Sequence, residues 1–229
     1  MTDMLDERRF AAVADELVEG DPALAAIVAE HGMPPFWSRP PGFRSLVLLI
    51  LEQQVSLASG AAAYRRLRDR VRTVTPANVL ACTPEELRAD GVSRQKDRYL
   101  RALASAVEDG SLIIDDLVAL EDDGVRRALI ALPGIGPWTA DVYLLACLGR
   151  PDLWPVGDRA LQVAVAEALG LAAVPAPAAL EELGERWRPH RSTAARILWH
   201  GYLGRRNRVE TPGDLLDALA VEPGPVRPS

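Results

Sequence analysis

Apolar residues recur along this chain at helical spacing, and no stretch alternates apolar and polar residues as a half-buried strand would. The pattern predicts helix over residues 5–31, restarted at Asp21-Pro22, where proline suits a first helical position. Residues 32–42, G-M-P-P-F-W-S-R-P-P-G, are proline-dense and carry two aromatics, and they predict an irregular strap packed on the body. Phe43 to Gln53 is apolar almost all round and predicts a central, buried helix. Ser56 is placed to cap a helix running to about Val71. Thr75-Pro76 and Thr83-Pro84 start short helices, and Ser93 caps another after a break at Gly91. Leu117, Leu120, Val125 and Leu129 space helical segments up to a glycine turn at Leu132–Gly136. A helix follows from Pro137, with Gly149 at its C′ position. Residues 160–168 read as helix, 174–179 as loop, 180–187 as helix, 188–192 as a break, and 193–202 as a last helix. From about Val221 the proline-rich end reads as frayed. The fold class expected is all-α.

Composition narrows the class. The chain has 229 residues, 48% of them apolar, enough for one large domain or two small lobes with a real core. No apolar run approaches eighteen residues, and Leu46–Leu51 is of core-helix length, so none is long enough to span a membrane. The first ten residues lack the basic start and apolar middle of a signal peptide, so a cytoplasmic location is expected. Cys82 and Cys147 stand apart in apolar stretches and read as buried free thiols. A net charge of −6 argues against a general nucleic-acid coat but leaves room for a local basic face. Lys96 is the only lysine, and the remaining positive charge is arginine, which suits phosphates but also fits a GC-rich genome.

The candidate chemistry lies between Ile130 and Gln162. Gly134 and Gly136 permit positive φ, and Pro133 favours a tight turn. The N–H groups at the start of the following helix suit an anion such as phosphate. A tight turn with no ligand is the plain alternative for a lone G-x-G. Asp158, in G-D-R-A, reads as a helix N-cap. Gln53 and Gln54 fall at a helix–helix corner, where solvated amides are the plain reading, and Trp138 and Trp199 could simply be core.

Taken as one string, L-P-G-I-G-P-W-T-A with an acid twenty residues after its tryptophan resembles the helix-hairpin-helix DNA glycosylases of the endonuclease III superfamily. Within them it looks most like the 3-methyladenine DNA glycosylase II branch. The resemblance extends from about Asp21 to about Tyr202 and includes H-G-M-P-P-F-W-S-R-P-P-G-F and E-R-W-R-P-H-R-S-T-A-A-R-I-L-W. It implies two helical lobes flanking a DNA-binding cleft, lobe A at about 43–130 and lobe B at about 1–42 plus 131–221, with a frayed tail at 222–229. The larger bacterial relatives carry an additional N-terminal β-rich domain, and the compact single-unit form is expected here.

The resemblance also implies roles. Asp158 would be the catalytic acid that steadies an oxocarbenium-like sugar. Trp138, Trp199 and Gln53 would form the pocket for the extruded base, where cation–π contact favours alkylated purines. Gln54 would be the wedge that fills the gap in the duplex, and Gly134, Gly136 and Thr139 would hold the DNA backbone. The main-chain carbonyls of Ile130, Leu132 and Ile135 would bind Na+ or K+. No iron–sulfur cluster is possible, because two cysteines cannot supply four ligands. Trp138 occupies the place of the Schiff-base lysine of bifunctional relatives, which implies a monofunctional hydrolase in base excision repair that leaves an abasic site. The expected partner is double-stranded DNA with alkylated bases, and the protein is expected to be a monomer.

Three positions depart from the pattern. Val142 replaces a pocket tyrosine, Arg159 a tyrosine after the acid, and Pro137 an arginine that often binds phosphate. A non-catalytic damage-sensing DNA binder, and a glycosylase for deaminated or mismatched bases, are the rival readings.

Overall fold

A computed structural model describes residues 4–207, and among them the regular structure is entirely helical. In chain order the helices are α1 (Glu7–Gly20), α2 (Pro22–His31), α3 (Phe43–Glu52), α4 (Leu57–Val71), α5 (Pro76–Ala81) and α6 (Pro84–Ala89). They continue with α7 (Arg94–Glu108), α8 (Asp122–Ile130), α9 (Pro137–Ala146), α10 (Arg159–Ala168), α11 (Pro177–Gly184) and α12 (Arg191–Gly204). Two 3-10 turns, Ile114–Ala119 and Glu185–Trp187, complete the set.

Local sequence sets most of the starts. Asp6, Asp21, Ser56, Thr75, Thr83, Ser93 and Asp158 each accept a first-turn N–H through the side chain. Thr83 and Glu86 complete a reciprocal capping box. Asp21 does more than cap. Its Oδ1 accepts the N–H groups of Ala23 and Leu24, while Oδ2 accepts Trp187 Nε1–H at 2.9 Å. The start of α2 is thereby tied to a tryptophan 166 residues away. Asp21→Ala is expected to destabilise the fold by about 1–3 kcal/mol, a lost cap plus a buried indole donor left unpaired. A thermal melt unchanged from wild type would contradict this.

The helices fall into two packing groups. In one, α4 and α7 pack against α3, and α5 and α6 pack against α7. In the other, α1, α2 and α10 pack around α12. The hairpin helices α8 and α9 pack on each other, and α9 also meets α3. The buried apolar side chains form one continuous cluster across both groups. α3 lies at its centre, with every side chain from Ser45 to Glu52 buried. The proline strap closes one side: Phe36 stacks on Phe10 at 5.3 Å, and Arg39 donates its N–H to the Ala146 carbonyl.

Several expectations need correction. α11 begins at Pro177, three residues into the expected loop, because proline again sits at N1. The helix placed over 180–187 ends at Gly184 and continues as a 3-10 turn. α12 starts at Arg191, inside the expected break. On α7, Lys96 Nζ donates to the Leu51 carbonyl at 2.7 Å, and Arg101 holds the carbonyls of Leu80 and Cys82. The tail from Val221 lies outside the described residues. Both cysteines are buried free thiols, and burial pushes the Cys147 thiol up to about 12. Among the described residues no helix is long and apolar enough to cross a membrane.

Candidate active site

The turn between α8 and α9 is shaped by Gly134, whose φ is +88°. A Cβ there would lie 2.0 Å from Cγ of Tyr99, so the α7 ring seats directly on the glycine. Gly136 departs from expectation. Its φ of −95° and ψ of 177° are extended backbone open to any residue, and it needs no left-handed freedom. A Cβ on it would meet nothing within 4 Å, so its backbone faces open space at the start of α9. There the first-turn N–H groups have no intrahelical acceptor.

Gln53 and Thr139 also need revision. Gln53 Nε2 donates to the Gly134 carbonyl at 2.8 Å and to Thr139 Oγ1 at 3.0 Å. Gln53 is therefore a clip from the end of α3 to the hairpin, not a wall of the base pocket. Thr139 is 2% exposed and its hydroxyl is committed to that clip, so its side chain is unavailable to DNA. Gln54, next in the chain, stands exposed at the corner with φ +57°, and Val55 beside it is 47% exposed. The corner projects outward.

A cavity of about 300 Å³ opens between the two groups of helices. Trp138, Trp199, Asp158 and Val142 line it, together with Arg39, Glu52 and Arg196. Asp158 is half-buried at the N-terminus of α10 and is held from three directions. Its Oδ1 accepts the Leu161 N–H at 2.7 Å and Trp199 Nε1–H at 3.1 Å, and its Oδ2 accepts Trp138 Nε1–H at 2.7 Å. The cap role and the cavity role coincide, and both expected pocket tryptophans orient the acid as well as lining the space. An indole withdrawn from water needs an N–H partner, and the acid supplies it for both half-buried rings.

Sequence reasoning passed over Arg39, Glu52 and Arg196. Glu52 accepts Arg39 Nη1–H and Nη2–H at 2.8 and 3.0 Å, a bidentate pair. Burial raises the Glu52 carboxyl, and Arg39 opposes that shift. Arg196 is wholly buried, and the loss of solvent lowers its guanidinium to about 9. An acid directly after the apolar run Leu46–Leu51 was the one visible signal; nothing marked Arg39 or Arg196.

A two-lobed helical fold, a glycine hairpin at a helix start and a fixed carboxylate in a tryptophan-lined cavity together define a helix-hairpin-helix protein with a cleft between its two groups of helices. Residues 47–189 match the HhH-GPD superfamily base excision DNA repair protein family. The chain belongs to that family. It is 28% identical over 185 residues to a putative DNA-3-methyladenine glycosylase of Bacillus subtilis, covering 77% of this chain but only 64% of that relative's length. A crystal structure of a DNA-3-methyladenine glycosidase from Bacillus halodurans superposes with a TM-score of 0.69 at 30% identity, covering 90% of this chain and 95% of that one. The 3-methyladenine DNA glycosylase of Schizosaccharomyces pombe bound to abasic DNA shares the fold, with a TM-score of 0.76 at 23% identity over 82% and 95% of the two chains.

Proposed function

We propose that this protein is a monofunctional DNA glycosylase for alkylated purines, acting on double-stranded DNA in base excision repair and leaving an abasic site. The observation that carries this is the Asp158 carboxylate, fixed by the Leu161 N–H and two indole N–H groups at the edge of a cavity lined by aromatics. Family membership and the glycosylase names of the relatives support it.

The chemistry follows from the fixed charge. As the bond from C1′ to the purine nitrogen breaks, its electron pair leaves with the base and positive charge grows on the sugar. A pre-positioned carboxylate stabilises that charge without rearranging. Water then bonds to C1′ and gives up a proton, and an abasic sugar remains. Trp138 and Trp199 offer ring faces to an electron-poor base. Gln54 would enter the stack where the base has left, and the open backbone at Gly136 and the start of α9 would receive a phosphate. The two groups of helices would act as lobes on either side of the duplex.

The carbonyls of Ile130, Leu132 and Ile135 are neutral oxygen donors of the kind a hard cation takes. Ile130 ends α8, where carbonyls lack intrahelical donors, and the Leu132 carbonyl takes one N–H, from Ile135 at 3.2 Å, against two lone pairs. The set fits Na+ or K+, which would add positive charge beside a bound phosphate.

Strand cleavage through a Schiff base would need an amine at the sugar. Lys96 is the chain's only lysine, its amine donates to the Leu51 carbonyl, and it is not among the cavity residues. Incubation with DNA carrying 3-methyladenine or 7-methylguanine should release free base, and strand breaks should appear only after alkali. Binding without base release would favour the damage-sensor reading, and breaks without alkali would rule out the monofunctional one.

A further inference from the structure

Gln53 holds the hairpin at two points, and the residue after it is the one placed to enter the duplex. We propose that Gln53 is a positioning residue that couples entry of the Gln54 wedge into the base stack to the hairpin's hold on the DNA backbone. The proposal rests on the glycosylase reading and on Gln54 as the wedge.

The first support is the reach of the clip. A side-chain amide has two N–H donors, and Gln53 uses both on the hairpin. One goes to the Gly134 carbonyl at 2.8 Å and the other to Thr139 Oγ1 at 3.0 Å. Gly134 lies in the turn, and Thr139 lies in the first helical turn of α9. The two bonds therefore bracket Gly136 and the start of α9, the backbone proposed to receive a phosphate. The amide cannot rotate without giving up a bond, so Gln53 fixes the separation between the corner and the hairpin.

The second support is the backbone of the corner. Gln54 has φ +57°, a left-handed conformation that residues other than glycine seldom adopt. Such conformations persist where the surroundings over-determine them, and they cluster at functional sites. Here the corner is held on both sides. Gln53 is clipped before it, and after it Ser56 caps α4 by accepting the Ser59 N–H at 3.2 Å. α7 braces the same parts: Lys96 Nζ donates to the Leu51 carbonyl at 2.7 Å, and one turn further on the Tyr99 ring seats on Gly134. The end of α3, the corner and the hairpin form one unit.

The third is mechanical. Opening a gap in a duplex costs unstacking energy, and a side chain pushed into the stack is pushed back. A loose corner would recoil. A corner tied to the amides that hold a phosphate can recoil only by loosening the grip on DNA. The same helix start carries Trp138, whose Nε1–H holds Asp158 Oδ2 at 2.7 Å, so the wedge and the acid keep a set separation.

The test compares wild type, Gln53→Met, Gln54→Ala and the double variant on a duplex carrying 7-methylguanine beside 2-aminopurine, whose fluorescence rises on unstacking. Gln53→Met keeps the side-chain length and removes both donors. It should lower single-turnover base release at least about tenfold, a loss that a small misplacement can reach, and should reduce the fluorescence rise on binding. Affinity for an undamaged duplex should fall by less than about threefold, because the backbone N–H groups that meet phosphate are kept. In the Gln54→Ala background the same substitution should lower release by less than about threefold, because the side chain it positions is gone. A residue that only stabilised the fold would give additive losses. Should Gln53→Met fail to fold, Thr139→Val and Thr139→Ser carry the comparison: valine removes one of the two acceptors and should show part of the loss, and serine keeps the hydroxyl and should restore release. No loss for Gln53→Met, additive losses in the double variant, parallel losses of affinity and release, equal release by the two Thr139 variants, or wild-type release by Gln54→Ala would overturn the proposal while leaving the glycosylase reading standing. A wild type that releases no base would overturn both.

Discussion

Asp158→Asn is expected to lower base release from methylated DNA by at least about 10²-fold, the scale for removing one well-placed electrostatic stabiliser. The substitution removes the negative charge but keeps a capping oxygen, since asparagine is as good an N-cap as aspartate. What it cannot keep is the whole set of three donors. The capping oxygen also accepts Trp199 Nε1–H, so the NH2 group takes the place of the oxygen facing Trp138, and Trp138 loses its acceptor. The stability cost should be about 1–3 kcal/mol, that of a hydrogen bond to a charged group. Domains of this size tolerate such a loss. Single-turnover base release measured beside a thermal melt separates the two effects. A folded variant with wild-type release would remove Asp158 from the chemistry.

Gly134→Ala is expected to destabilise the protein by about 2–5 kcal/mol and to weaken DNA binding with it. Two terms add. A non-glycine residue at φ +88° costs about 1–2 kcal/mol. A methyl group forced into the Tyr99 ring adds about 1–3 kcal/mol of overpacking. The damage is not confined to the turn, because the Gly134 carbonyl anchors Gln53 and so the end of α3. Tyr99→Ala in the same chain should relieve the crowding but not the backbone term, so the paired variant should melt above Gly134→Ala alone. Melting temperatures and affinity for a duplex with an abasic site check both parts. An unaltered melt for Gly134→Ala would mean that the ring does not rest on the glycine.

Much of this was legible because local rules agreed with the fold. The threonine–proline and aspartate–proline pairs marked helix starts correctly, and the all-round apolar run from Phe43 gave the central helix. Asp158 and Trp138 could be named from one string and Trp199 from a second, and all three line one cavity. What stayed hidden depends on distance in sequence. The bond from Gln53 to Gly134 spans 81 residues, and no local pattern could turn a corner amide into a clip. Arg39 and Glu52 sit in a proline strap and an apolar helix, and only their meeting makes them a site. The early start of α11 was missed because alanine- and proline-rich sequence reads as loop, although proline at N1 followed by alanines is a sound helix opening.

The same Oδ1 that accepts Trp199 also caps α10, and Oδ2 is held by Trp138. Swinging this carboxylate toward a substrate would unfasten a helix end and strand two indole N–H groups at once. The acid is thus suited to act as a stationary source of negative potential and poorly suited to ferry a proton by moving, so the reacting sugar has to be carried to the charge.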